Sequence, residues 1–375
     1  MDTILSARQL YKHDPLLVLL RGKLRLSNSW IIVGAALLAG GDLFGLAALA
    51  GERFGLQDVL MGDELIALLQ TLVVVPIGFA LYLWLPNSIA ELFNTLKAND
   101  AIGERRPERP GPESYEDFIE KLVAWADSRW WVVGALIFVA LYWLYRLFIT
   151  YPAEFPTLSP AWRQLWLRVA TLLLAHSPGM YAAFFVIARL LVVLVFTNRL
   201  FRLFYIRVKP LHPDGCAGLG VLGRLLTVSV LIATALGAVW VGAFFSVGTQ
   251  SLSRLENVIL GACYVVFTPL LLIGWLASPH RAMKEARDAT LQPLADEFQR
   301  AIAQAVPSAQ DDAAAIKAGT DRLAELKRRY EFLRDSFPVW PMRIQPLRNL
   351  VATAVLPLIS SLIPLVSKAI VGLFK

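Results

Sequence analysis

Six apolar stretches punctuate the chain, at residues 30–50, 65–85, 130–151, 180–197, 225–247 and 258–277. Each runs close to the ~20 residues that a helix needs to cross ~30 Å of hydrocarbon at 1.5 Å per residue. They are continuous, without the period-two alternation of a membrane barrel strand. Trp30, Trp84, Trp130, Trp131, Tyr151, Tyr181 and Trp275 fall near their ends, the headgroup depth that amphipathic rings prefer. The pattern predicts an all-α, polytopic membrane protein with six transmembrane helices. A seventh is added if the apolar C-terminal tail, 341–375, also spans rather than lying in the interface.

Between these stretches the pattern turns polar. Residues 1–29 form an N-terminal segment, and 86–129 and 198–224 form long loops. Within the first loop, Ser114 with Asp117 three residues on reads as a capping box. Behind it Tyr115, Phe118, Leu122 and Trp125 are placed on one helical face. Residues 278–340 read as a helical hairpin. Leu291, Leu294, Phe298 and Ile302 recur at helical spacing, as do Leu323, Leu326, Tyr330 and Leu333, with Pro307 and Ser308 between the runs. The seams are too short for a free-standing coiled coil, which favours packing within one subunit over pairing between subunits. Residues 161–176 admit two readings. One is an interfacial helix broken from the fourth span by Ser177, Pro178 and Gly179; the other is a single long kinked helix.

Composition agrees. Hydrophobic residues make up 57% of the chain, charged residues 17%, and mean hydropathy is +0.56, outside the habit of soluble domains. The formal charge of +7 is explained by membrane flanks, so no nucleic-acid partner is expected. Cations cluster before the first span (Arg8, Lys12, Arg21, Lys23, Arg25), in the two long loops and between Arg281 and Arg348. The opposite side carries Arg53, Arg163, Arg168 and Arg254. Positive-inside bias therefore puts the N-terminus in the cytoplasm, and the hairpin with it.

Candidate chemistry is sparse. Asp42, Arg189 and Arg146 lie inside apolar spans, where an unpaired charge costs at least ~2.5–3.5 kcal/mol and normally faces a partner. Depth counting suggests an Asp42–Arg189 contact, with Arg146 the second choice or a snorkelling residue. Such a pair could line or gate an ion path, or simply tie helices together. In the tail, Thr353, Pro357, Ser360, Pro364 and Ser367 form one polar seam at helical spacing. It could border a pore in an oligomer, or pack as a small-residue face. Cys216 and Cys263 fit no metal or redox spacing, no metal or cofactor is implied, and neither HExxH nor GxSxG occurs. Gly218, Gly220 and Gly223 match GxGxxG, but outside a βαβ context that points to close backbone packing rather than a dinucleotide. Just before it, Asp214 in His212-Pro213-Asp214 is expected in a turn near the start of the fifth span.

The stretch from Lys209 to Gly220 resembles a segment of the form HPDxxGGLG in uncharacterised bacterial multi-pass membrane proteins, with Ala217 in place of the first glycine of the pair. That resemblance implies a bacterial cytoplasmic (inner) membrane and supplies no activity. The expected function is a non-enzymatic membrane protein in lipid, oligomeric and channel-like or sensor-like. A secondary transporter and a membrane anchor or partner subunit are the alternatives.

Overall fold

The computed structural model describes residues 4–40, 75–108, 111, 114–150, 166, 169–170, 172–209, 212–230, 234, 237, 255–305, 313–341, 348–349 and 352. Helices dominate: α1 (Asn28–Gly40), α2 (Val75–Ala98), α3 (Tyr115–Ala126), α4 (Arg129–Tyr145), α5 (Ser177–Leu203), α6 (Val221–Val230), α7 (Leu255–Ala305) and α8 (Ala313–Ser336). Among the described residues, two helical stretches are long and apolar enough to cross a membrane, one within Tyr115–Ile149 and one at Leu172–Leu203. Very little of the first is fully buried along its apolar length, whereas most of the second is. Thus α4 is peripheral and α5 central, with α2, α3, α4 and α7 packed around it.

Several boundaries differ from those the hydrophobic pattern suggests. Pro86 lies inside α2, which continues to Ala98. A proline there removes one backbone bond and crowds the preceding turn. The Arg21 guanidinium donates to the Leu83 carbonyl in that turn at 2.8 Å. Likewise Ser177, Pro178 and Gly179 do not break the fourth stretch. Pro178 sits in the first turn of α5, where its missing N–H is harmless, and a π turn at Leu172–His176 leads directly into it. Nor does the chain pause near residue 277, because α7 runs unbroken for 51 residues through Pro269, Pro279 and Pro293.

Where α2 and α5 end, they are tied by a two-stranded antiparallel ribbon, β1 (Ile102–Arg105) with β2 (Phe204–Ile206). Asp100 turns the chain at φ 50 after α2. Strands this short carry no readable alternation, so the ribbon is an addition to the all-α expectation. Over it lies α3, opened by the expected capping box: Ser114 Oγ accepts from Asp117 N at 3.0 Å and Asp117 Oδ2 accepts from Ser114 N at 3.1 Å. Its buried face is Tyr115, Phe118, Ile119, Leu122 and Ala126. Trp125 is exposed instead, because the true stripe runs through 119 and 126 and turns 125 outward. Phe118 meets Phe93, Phe196 and Phe204 in edge-on and tilted contacts, and burial of such a ring stabilises by roughly 1.5–3 kcal/mol. Tyr115, donating to the Phe93 carbonyl at 2.8 Å, is held above the ordinary phenol range by burial and then by the neighbouring Glu116 charge.

α7 and α8 form an antiparallel helical pair. Leu291, Ala301 and Leu326 are buried between them, Leu294, Phe298, Leu323, Tyr330 and Leu333 half-buried, and Arg322 faces Glu297 at 3.6 Å. Ile302 is exposed, Ala301 taking its place in the seam. The pair is fixed to the ribbon by Arg106, which meets Glu285 at 2.7 Å and covers the Tyr205 ring. After α8 the Pro338–Pro341 turn folds back onto α7. There Trp340 stacks on His280 at 4.1 Å, and His280 Nδ1 lies 2.7 Å from the Val339 carbonyl.

Candidate functional site

The N-terminal segment is a structured arm. Asn94 on α2 pairs with Leu5 as a second strand would, accepting from Leu5 N at 3.1 Å and donating to Leu5 O at 2.8 Å. From there the arm runs back along α2 to Leu83, ~16 Å of helix. Asp14 caps a short turn, Pro15–Leu17, with proline in its first position. The apolar run from Leu16 to Leu20 follows. Together these local signals carry Asp14 into the bundle.

There the carboxylate, 1% exposed, is saturated. Oδ2 accepts from Arg189 Nη2 at 2.7 Å. Tyr82 Oη lies 2.7 Å from both carboxylate oxygens, and Oδ1 also accepts from Tyr181 Oη at 3.2 Å. The amides of Leu16 and Leu17 complete the shell. Arg189 is itself 2% exposed and lies over the faces of Tyr82 and Phe185. Its Nε and Nη1 have no hydrogen-bond partner among the described residues. Two full charges taken from water cost several kcal/mol apiece, and only this geometry offsets that cost.

The neighbouring residue forms a second bolt. His13 N donates to Asp127 Oδ1 at 2.8 Å, and His13 Nδ1 meets Oδ2 at 2.7 Å. Consecutive arm residues therefore grip the end of α3 on one side and the α2–α5 pair on the other. Both charged groups are almost wholly buried, so the cluster serves as a lock, a charge pair and a carboxylate flanked by two phenols.

Of the residues singled out by sequence, Arg189 is thus central, and the carboxylate given to it is Asp14. Asp42 lies outside the described residues, as do Thr353, Pro357, Ser360, Pro364 and Ser367 of the tail. Arg146 opens the π turn Arg146–Thr150 at the far end of α4, ~27 Å of helix from Ser128, and is not brought to the cluster. Tyr181 and Trp275, counted as interfacial rings, are buried.

The glycine-rich loop has a different construction. Asp214 accepts from Cys216 N at 2.8 Å, Gly218 N at 3.1 Å and Gly220 N at 2.9 Å. His212 Nδ1 lies 2.8 Å from the same carboxylate. Burial pushes this carboxyl up, but the three amides and His212 outweigh it and hold it below the ordinary aspartate range. Gly215, Ala217 and Gly218 have φ of 66, 60 and 90, a geometry that turns successive amides inward. The amides that a phosphate would need are already occupied by the loop's own side chain, which accounts for GxGxxG here. A side chain at position 220 would meet Asp214 Oδ2 at 3.0 Å, so that glycine serves close backbone approach. Among the described residues no three His, Cys, Asp or Glu side chains gather into a metal-binding group.

Comparison of the chain with known protein families, with curated proteins and with solved structures finds no match.

Proposed function

We propose that this chain is a multi-pass protein of a bacterial cytoplasmic membrane, with six or seven spanning helices and its N-terminus inside. In this reading it acts without enzymatic chemistry as an oligomeric, sensor-like or channel-like unit. One observation carries the membrane assignment. Along α4, Trp130, Val133, Leu136, Ile137, Leu141, Leu144 and Phe148 are all exposed on a helix with Ala135 alone among its fully buried side chains. With its π turn the helix is ~33 Å long, the depth of a hydrocarbon core. An apolar surface of that extent is foreign to a water-exposed monomer and natural against acyl chains.

On this reading the cytoplasmic boundary passes near Ser128, where the polar helix α3 gives way to α4. His13 contacts Asp127 at that level, so the Asp14–Arg189 lock sits at the inner boundary rather than mid-membrane. The last ~21 Å of α5 beyond Arg189 then stands in the cytoplasm, packed by α3 and the ribbon. The sensor-like reading is supported by α7, a single helix that leads from exposed Val265, Val266 and Ile273 to the charged pair with α8. The element that would report a change is the same rigid body that sits in lipid.

Two measurements test this. Membranes washed in alkaline carbonate should retain the protein, and recovery in the detergent-free supernatant would refute the membrane assignment. Purified protein in planar bilayers should show discrete conductance if the unit is a channel. Silence across voltage and pH would remove the channel-like half and leave the sensor-like one, for which spin-label distances between bundle and hairpin must change with the stimulus.

A further inference from the structure

At the foot of α4, beside the arm, lies an open cleft of about 460 Å³ bordered by Gln9, Lys12, His13, Asp127, Ser128 and Arg129. Its one acid, Asp127, is engaged by the His13 backbone amide and ring. Its two cations are not so engaged. Lys12 and Arg129 are exposed, and neither has a carboxylate within ion-pairing distance among the described residues. Trp125 and Trp130, next in sequence to the lining residues Ala124 and Arg129, are 61% and 80% exposed, although large rings ordinarily seek cover. The exposed apolar face of α4 begins on the next turn, at Val133.

We propose that this cleft is a binding site for an anionic phospholipid of the inner leaflet. Lys12 and Arg129 hold the phosphate, Gln9 and Ser128 face the polar part of the headgroup, and the acyl chains run up α4 past Val133, Leu136 and Ile137. The inference rests on the membrane reading above, and it gives that reading a headgroup preference. Three features argue for a lipid over a soluble anion. The cations sit at the junction of polar and apolar surface, the indoles occupy headgroup depth, and the exposed apolar face of α4 starts one turn beyond Arg129. The arm supplies Lys12 and is locked by Asp14, so lipid occupancy and arm docking support each other.

The test uses the full-length protein in detergent, titrated with phosphatidylglycerol and with phosphatidylcholine of the same acyl chains, and read by native mass spectrometry. Phosphatidylglycerol should bind more tightly. The Lys12→Gln, Arg129→Gln double variant should lose roughly thirtyfold in that affinity, at ~1 kcal/mol per cation, while phosphatidylcholine binding holds. Lys284→Gln with Lys317→Gln, which removes the same charge from the helical pair, should bind as the wild type. The melting temperature of the cleft variant checks its fold. Equal binding of both lipids, an unaffected cleft variant or an equal loss in the control would each overturn the site. Displacement of the lipid by millimolar inorganic phosphate would also overturn it, by marking a soluble-anion site. Protein that withstands carbonate washing yet shows no headgroup preference sinks the lipid site alone. Protein recovered without detergent sinks the membrane reading as well.

Discussion

Two aspartates in this molecule solve the same problem in opposite ways. Asp214 is satisfied by amides within six residues of itself, so its environment is a property of one loop. Asp14 is satisfied by Tyr82, Tyr181 and Arg189, which come from helices far apart in the chain. The first carboxylate shapes a turn, and the second joins segments. A local site survives as long as its loop does, whereas a joined site fails when any one contributor moves. The Asp14 cluster is therefore the place where a change in helix packing would be felt at the N-terminus.

The largest expected effect lies at the joined site. Asp14→Ala leaves Arg189 charged, buried and without its partner, and should destabilise by ~3–5 kcal/mol. Thermal unfolding in detergent reads this directly. Asp14→Leu combined with Arg189→Met should recover most of the loss, because an apolar pair of similar volume carries no desolvation cost. A double variant as unstable as the single one would show that the charges themselves are required.

Next comes Asp214→Ala, which orphans three inward amides. It should cost about 1–3 kcal/mol and expose buried Cys216 to maleimide in a Cys263→Ser background. An unchanged labelling rate would mean that the loop does not depend on its carboxylate. The same group sets a pH dependence. Its folded pKa is depressed, so its stabilisation is complete above the ordinary aspartate value near ~4. It is lost as pH falls through the lower folded value. Melting curves of wild type and Asp214→Ala should thus converge in strong acid and separate above about pH 4.

The smallest effect has the opposite sign. Ala217 holds φ 60, a conformation that costs a residue with a Cβ ~1–2 kcal/mol. Ala217→Gly relieves that strain, part of which is offset by the freedom glycine gains in the unfolded chain. A net gain of about 0.5–1 kcal/mol is expected, read as a modest rise in melting temperature. This is also the position at which the HPDxxGGLG pattern carries glycine.

Legibility in the sequence follows the same division between local and joined. The capping box at Ser114, the seams of α7 and α8 apart from Ile302, and the turn at Asp214 are legible because each depends on neighbours a few residues away. The apolar pattern stops at Pro86 where the helix does not, because spacing carries no sign of the packing that lets a helix continue through proline, and of the two readings open at Ser177–Gly179 the continuous helix is the one found. Spacing points Trp125 inward because it does not distinguish two adjacent stripes on one helix. Charge depth counted span by span pairs Arg189 with Asp42 and leaves Asp14, in a polar terminus, out of view. Asp14-Pro15 before five apolar residues is nonetheless a helix-start signal. Nothing in the sequence says which helices that turn will meet, and so the cluster became visible only in three dimensions.

The uninterrupted helix α7 has a mechanical consequence. On the proposed membrane reading its lipid-facing half ends near Ala277, and some 40 Å of rod projects beyond it. A tilt of about five degrees at the membrane would swing the far tip by roughly 3–4 Å, enough to slide a side chain out of its hole on a partner surface. Pro279 and Pro293, the two prolines within that rod, are the places where such leverage would be absorbed or passed on.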